Sequence, residues 1–334
     1  MRKKGFRYYR IVVLILFTVV LSLFSKEMNA QLDASNARYL QTQYFINPAY
    51  TGTLNTLALN LRARKQWLGI DGAPVSYRMV AHSPINNTLM SLGGGLSAEK
   101  YGIHNLYDAS LSYAYLLRVS PLTFLSLGIN ANMTYHQTNL HRLKVIDGND
   151  PYFSGTDEKG FNVNTGVGAF LYSKKFYLGI SVPKLFNVES SSEQAQLKQI
   201  LERQLYYVSS GYTFHMNKVM AIKPSVLYWF DDEDANNLSV ALQCLYKEFC
   251  WIGASYSQEG WASGLMGVKV NNDIEIAYIF DYSVGTENIQ RNIHEISLSF
   301  NIHSFYKRNK KREFGVRKGK SDKTKDGIKS LRAF

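Results

Sequence analysis

The chain has 334 residues, 46% of them hydrophobic and 13% aromatic, and a formal net charge of +12. Divided along the chain, that charge is +5 for residues 1–30, +9 for residues 306–334 and −2 for the body between them. The body therefore lacks the basic footprint that binding to nucleic acid requires, and nucleic acid is excluded as a partner.

Residues 1–30 read as a signal peptide. Arg2, Lys3, Lys4, Arg7 and Arg10 precede an uncharged apolar run from Ile11 to Phe24, and Ala30 offers the cleavage position. The run is too short for a comfortable transmembrane helix. No later stretch reaches the roughly eighteen apolar residues such a helix needs, so a membrane span has to be made of strands. Residues 31–56 follow as a periplasmic N-terminal segment.

From Leu57 onward apolar and polar residues alternate in stretches of about ten. Leu57, Leu59, Leu61 and Ala63 oppose Asn60, Arg62 and Arg64, and Leu125 to Tyr135 and Ile274 to Tyr282 repeat the pattern. About fourteen strands are placed, near 57–66, 75–83, 89–97, 107–118, 122–135, 161–173, 175–182, 205–216, 219–230, 237–246, 249–257, 261–270, 273–282 and 292–304. Alternation alone also suits a soluble sandwich. Two features favour the membrane. Tyr113, Tyr115, Tyr135, Tyr228, Phe230, Tyr282 and Phe300 fall near strand ends on the apolar face, as an interfacial girdle does. Even-numbered connections are short, whereas the odd ones include 136–160 and 183–204, the asymmetry of periplasmic turns and outer loops. The expected fold is all-β: one transmembrane antiparallel barrel over 57–305, with a short surface helix at 192–204. A basic flexible tail, 306–334, then hangs on the periplasmic side.

Few residues suggest chemistry. The histidines fall into no HExxH element, and neither a GxSxG nor a phosphate-loop pattern occurs, so no catalytic, metal or cofactor site is expected. Gly93-Gly94-Gly95 reads as strand glycines that admit a bulky neighbour. Arg62, Arg64 and Arg78 share the lumenal side, either as an anion-selective ring or paired with Glu275, Asp281 and Glu295 inside a filled barrel. Cys244 and Cys250 face one another across a turn with an odd loop centred on Lys247, whereas a two-residue turn sets Cys244 against Trp251.

One block is more specific: Asn47-Pro48-Ala49-Tyr50-Thr51-Gly52, then Arg64, Gln66-Trp67, Gly69, Gly72-Ala73-Pro74 and Ser83-Pro84, with Pro224-Ser225, Trp251-Ile252-Gly253 and His294-Glu295-Ile296 further on. Through these residues the chain, from about 40 to 303, resembles the PorP/SprF family of Bacteroidetes outer-membrane proteins. Physically, Asn47-Pro48 and Gly72-Ala73-Pro74 are turn chemistry ahead of strands. The resemblance implies an outer-membrane, non-enzymatic role in type IX secretion. It also implies surface client proteins such as gliding adhesins with a C-terminal targeting domain, and periplasmic secretion-system subunits and peptidoglycan as partners. A general diffusion porin is the alternative. The basic tail after Tyr306 departs from the family pattern.

Overall fold

The computed structural model describes residues 38–86, 88–140, 157–190, 204–232, 235–247, 249–284 and 292–302. Among these, fourteen antiparallel strands make one sheet closed on itself. They are β1 (Leu57–Gln66), β2 (Val75–Pro84), β3 (Met90–Tyr101), β4 (His104–Ser120), β5 (Thr123–Thr138), β6 (Glu158–Ser173) and β7 (Phe176–Ser190). The remainder are β8, in two segments (Leu205–Tyr212 and Phe214–His215), β9 (Met220–Asp231), β10 (Asn236–Tyr246), β11 (Cys250–Ser257), β12 (Trp261–Lys269), β13 (Ile274–Ser283) and β14 (Asn292–Ile302). Each strand pairs with its sequence neighbour, and β1 pairs with β14 from Leu57↔Ile302 to Gln66↔Ile293 to close the wall. Closure leaves no edge strand, so strand backbone groups are paired where no water could satisfy them. The strands read from the alternation are the strands that form.

The two faces are inverted relative to a soluble protein. In β5, Ser126, Thr134 and His136 are at most 3% exposed, whereas Leu127, Ile129 and Met133 are 44%, 57% and 49% exposed. A soluble sandwich would bury those apolar side chains against a second sheet. A barrel that presents them to lipid and encloses its polar face does the opposite.

With an even strand count, β1 begins and β14 ends at the same rim, the terminal rim. At the opposite rim, the loop rim, one wall is taller. β4 to β7 have 17, 16, 16 and 15 residues, against 8 to 12 in β9 to β14. Strand therefore replaces part of the expected loops. β3 and β4 meet across a tight turn at Gly102 and Ile103, and β7 runs eight residues into the stretch read as the 183–204 loop. Pro183 signals a strand end because it cannot donate to a ladder. Here it sits in a bulge: Val167 pairs with Val182 but Thr165 pairs with Phe186, so Gly166 faces three residues. The signal peptide (1–30), the 192–204 helix apart from Gln204, and the tail (306–334) lie outside the described residues.

Residues 38–56 correct the expected domain plan. Far from lying in the periplasm below the barrel, they are inside it. Arg38–Leu40 and Pro48–Tyr50 form two 3-10 turns, and Tyr39, Tyr44, Asn47, Ala49 and Tyr50 are almost fully buried. Their neighbours are inner-face residues of strands on opposite sides of the wall. The aromatic and aliphatic side chains of this segment leave water by packing on two apolar clusters of the otherwise polar inner face.

Candidate functional site: an occupied lumen

The plug, residues 38–56, is fixed most closely along β5 to β8. Asn47 caps the second 3-10 turn, with its Oδ1 accepting from Ala49 N at 2.9 Å. The other end of the same amide, Nδ2, donates to the carbonyls of Ala169 (3.1 Å) and Ile180 (3.4 Å) on β6 and β7. Such proximity requires glycine in the wall. A Cβ on Gly128 would run into the backbone of Pro48 and Ala49, and one on Gly168 into the Asn47 side chain. Around this contact Ser181 Oγ donates to Ile46 O, and Ser209 Oγ donates to Gln43 Oε1 at 2.8 Å. Gly52, at φ 74, donates its N–H to His82 Nδ1 at 3.1 Å.

Aromatic rings fill the space between. Tyr50 meets Phe170 edge-on at 5.6 Å, and Tyr44 stacks on His82 at 6.2 Å while its hydroxyl accepts from Ser112 Oγ at 3.0 Å. The ring of Tyr44 lies where Cβ atoms on Gly93 and Gly95 would be, which is the bulky neighbour those glycines admit. On the far wall Tyr39, Leu40 and Ile46 join Leu227, Ala241, Trp251, Leu265, Ala277 and Ile279 in one apolar cluster.

Two lumenal arginines lie against carboxylates, and other lumenal charges meet neutral polar or aromatic partners. Arg62 lies 3.5 Å from Glu295 across the β1–β14 seam, donates from Nε to Asn60 Oδ1 at 3.0 Å, and Asn60 in turn reaches Ser299. Arg78 is 3.8 Å from Glu99, and Gln66, with its amide oriented to match, accepts from Arg64 at 3.1 Å. Glu275 accepts from Trp251 Nε1 at 2.9 Å, and Asp281 is buried on the inner face of β13. Sequence reasoning missed Asp108, which accepts from Ser97 (2.7 Å) and Thr134, and Lys223, which lies 5.7 Å over the Tyr177 ring. Toward the loop rim the β7 bulge crosses Gly166 so that Pro183 O accepts from Asn130 and Asn132 at 3.4 and 3.1 Å. Beside the plug a pocket of about 90 Å³ remains, lined by Gln41, Lys223, Gln243 and Glu275 among others.

The motif residues separate into two places. Asn47, Pro48, Ala49 and Gly52 belong to the plug. Gln66, Trp67, Gly69, Gly72 and Pro74 shape the β1–β2 connection, where Trp67, Gly69 and Gly72 have φ of 48, 92 and 75 and Trp67 N donates to Asn292 O. His294 and Glu295 are adjacent but face opposite ways. Glu295 meets Arg62 inside, whereas His294 Nδ1 lies 2.6 Å from Tyr278 Oη outside.

Cys244 and Cys250 are both free thiols, and the hairpin disulfide does not form. The turn centres one residue beyond Lys247, so Tyr246 pairs with Cys250 and Cys244 pairs with Ile252. The two cysteines are diagonal on the outer face, roughly 7–8 Å apart for such neighbours, beyond the reach of a disulfide.

Closed wall, apolar exterior and filled polar interior define an outer-membrane β-barrel plugged by its own N-terminal segment. The chain belongs to the PorP/SprF family, since the sequence model of the type IX secretion system membrane protein PorP/SprF matches residues 28–300. Among solved structures the chain is similar to the KdgM porin, at 6% identity over 74% of this chain and 100% of that one, with a TM-score of 0.40. It is also similar to the Acinetobacter baumannii outer membrane protein Omp33 (9% identity, 75% and 100% covered, TM-score 0.43). The Pseudomonas putida toluene transporter TodX is comparable, at 8% identity, 82% and 98% covered and a TM-score of 0.43. A comparison with curated proteins gave no match.

Proposed function

We propose that this protein is a closed, non-enzymatic barrel that supports export and surface anchoring of type IX client proteins. What supports this reading, beyond family membership, is the plug: Asn47 and Ala49 lie against bare glycine backbone, which a segment passing through an open channel would not need. The barrel on this view acts as a surface and not as a conduit. Clients with a C-terminal targeting domain, periplasmic secretion subunits and peptidoglycan are its partners on this reading, and the +9 charge of residues 306–334 suits the acidic ones.

Deleting the protein should leave a client retained in the cell or shed into the medium, read by surface labelling and by blotting of the culture fluid. Normal display of every such client in the deletion strain would sink the proposal. The alternative, a diffusion porin, drew on the lumenal arginines, but Arg62 and Arg78 each lie against a carboxylate. Steady conductance from the intact barrel in planar bilayers, altered by Arg62→Gln, would restore it.

A further inference from the structure

The outer face of β1 to β4 near the loop rim carries an ordered set of side chains. Lys65 on β1 and Lys100 on β3 flank Val75 on β2, in the continuous register Lys65↔Val75↔Lys100. Both lysines are exposed. Two residues further from the rim on the same strands stand Ala63 and Ala98, with Tyr77 paired between them and Tyr107 beside Ala98. One row further come Leu61, Met79 and Leu96. Short alanines between long tyrosines and methionines hollow out a wall that would otherwise be convex. The hollow is an apolar groove of about 760 Å³. Glu99, the acidic neighbour of Lys100, turns to the inner face and meets Arg78, so it does not neutralise the exterior.

We propose that this groove binds one lipopolysaccharide molecule, with acyl chains against Ala63 and Ala98 on either side of Tyr77 and a phosphate between Lys65 and Lys100. The groove is apolar and lies in the face the barrel presents to lipid, so its natural occupant is hydrocarbon. Two cations directly above it, on strands separated by one other, are roughly 10 Å apart at the backbone, and long lysine side chains converge from there on a single phosphate. Tyrosines beneath a row of cations are the arrangement of a membrane interface. The leaflet follows from the rim: the longest connections, 139–157 and 191–204, leave from this end, and both ends of the sheet lie at the other. Long loops face outward in an outer-membrane barrel, and the phosphorylated lipid on that side is lipopolysaccharide.

The test uses the full-length protein in mild detergent, titrated with lipopolysaccharide, with dephosphorylated lipopolysaccharide and with phosphatidylglycerol, and read by native mass spectrometry. The wild type should retain one lipopolysaccharide. The double variant Lys65→Gln, Lys100→Gln should bind it roughly tenfold or more weakly, because each cation near an anionic headgroup contributes appreciably. Ala98→Phe keeps both lysines but fills the groove, and should weaken binding as well. Lys174→Gln with Lys175→Gln, at the terminal rim, should leave binding unchanged. These positions lie on the outer face or in a turn, and retained heat-modifiable migration in gels checks that each variant folds. Unchanged affinity in either groove variant overturns the proposal. So does equally tight binding of the dephosphorylated lipid or of phosphatidylglycerol.

Discussion

Where β5, β6 and β7 meet residues 47–49 the wall is bare glycine, whereas where β9 to β13 meet Tyr39, Leu40 and Ile46 it is leucine, isoleucine and tryptophan. The glycine wall lets backbone approach backbone, so its contacts are directional: Asn47 to two carbonyls, Ser181 to Ile46, Ser209 to Gln43. The apolar wall has few such bonds and many interchangeable contacts, whose strength scales with buried area and hardly depends on orientation. One wall sets where the plug sits. The other adds apolar burial to that of Tyr44, Ala49 and Tyr50 against Phe124, Phe170 and Tyr177.

This division can be broken from either side. The largest effect should come from the apolar wall: Trp251→Ala removes a side chain packed against the plug and its bond to Glu275, at a cost of about 3–5 kcal/mol. The guanidinium unfolding midpoint in detergent should fall accordingly, with the slope unchanged. Gly128→Ala comes next, because its Cβ meets Pro48 and Ala49 backbone that cannot rotate away, and costs about 1–3 kcal/mol. Its sharper signature should be functional, with intermittent conductance in planar bilayers where the wild type is expected to be silent. Should Trp251→Ala open the lumen and Gly128→Ala leave it closed, the roles assigned to the two walls are reversed. Ser209→Ala is the smallest change, at about 1 kcal/mol for one neutral hydrogen bond, read as a slight drop in the same midpoint with no conductance.

The wall was legible because its period is two and every strand repeats the same decision, with Leu127 outward and Ser126 inward. The taller rim was not. Pro183 and Gly102 signal turns locally, and only the partner strands show that the ladder resumes beyond Pro183 and that Gly102 makes a two-residue hairpin. The plug was missed for a different reason: Asn47-Pro48 is correct turn chemistry, and turn chemistry does not say where the turn is. Two signals were available. Tyr39, Leu40, Tyr44, Phe45, Ile46 and Tyr50 are too apolar for a solvated leader, and Gly93, Gly95, Gly128, Gly168 and Gly179 all fall on the lumenal parity of their strands, leaving a hollow that something must fill. The cysteine register turned on one residue of loop length, which a sequence does not fix.

Because the plug precedes β1 in the chain, its position also bears on the order of assembly. Its contacts span long sequence separations: Asn47 to Ala169 and Ile180, Gln43 to Ser209, and Leu40 to the cluster that ends with Ile279. None of these can form until wall synthesised much later is in place, and the last wall to arrive, β14, is the one that zips onto β1. A cylinder that sealed first would have to take in a capped, proline-containing turn through one end, past the side chains of the inner face. The expected order is therefore that the seam between β1 and β14 closes around its occupant, with the Arg62–Glu295 pair that straddles that seam completed after the plug is seated.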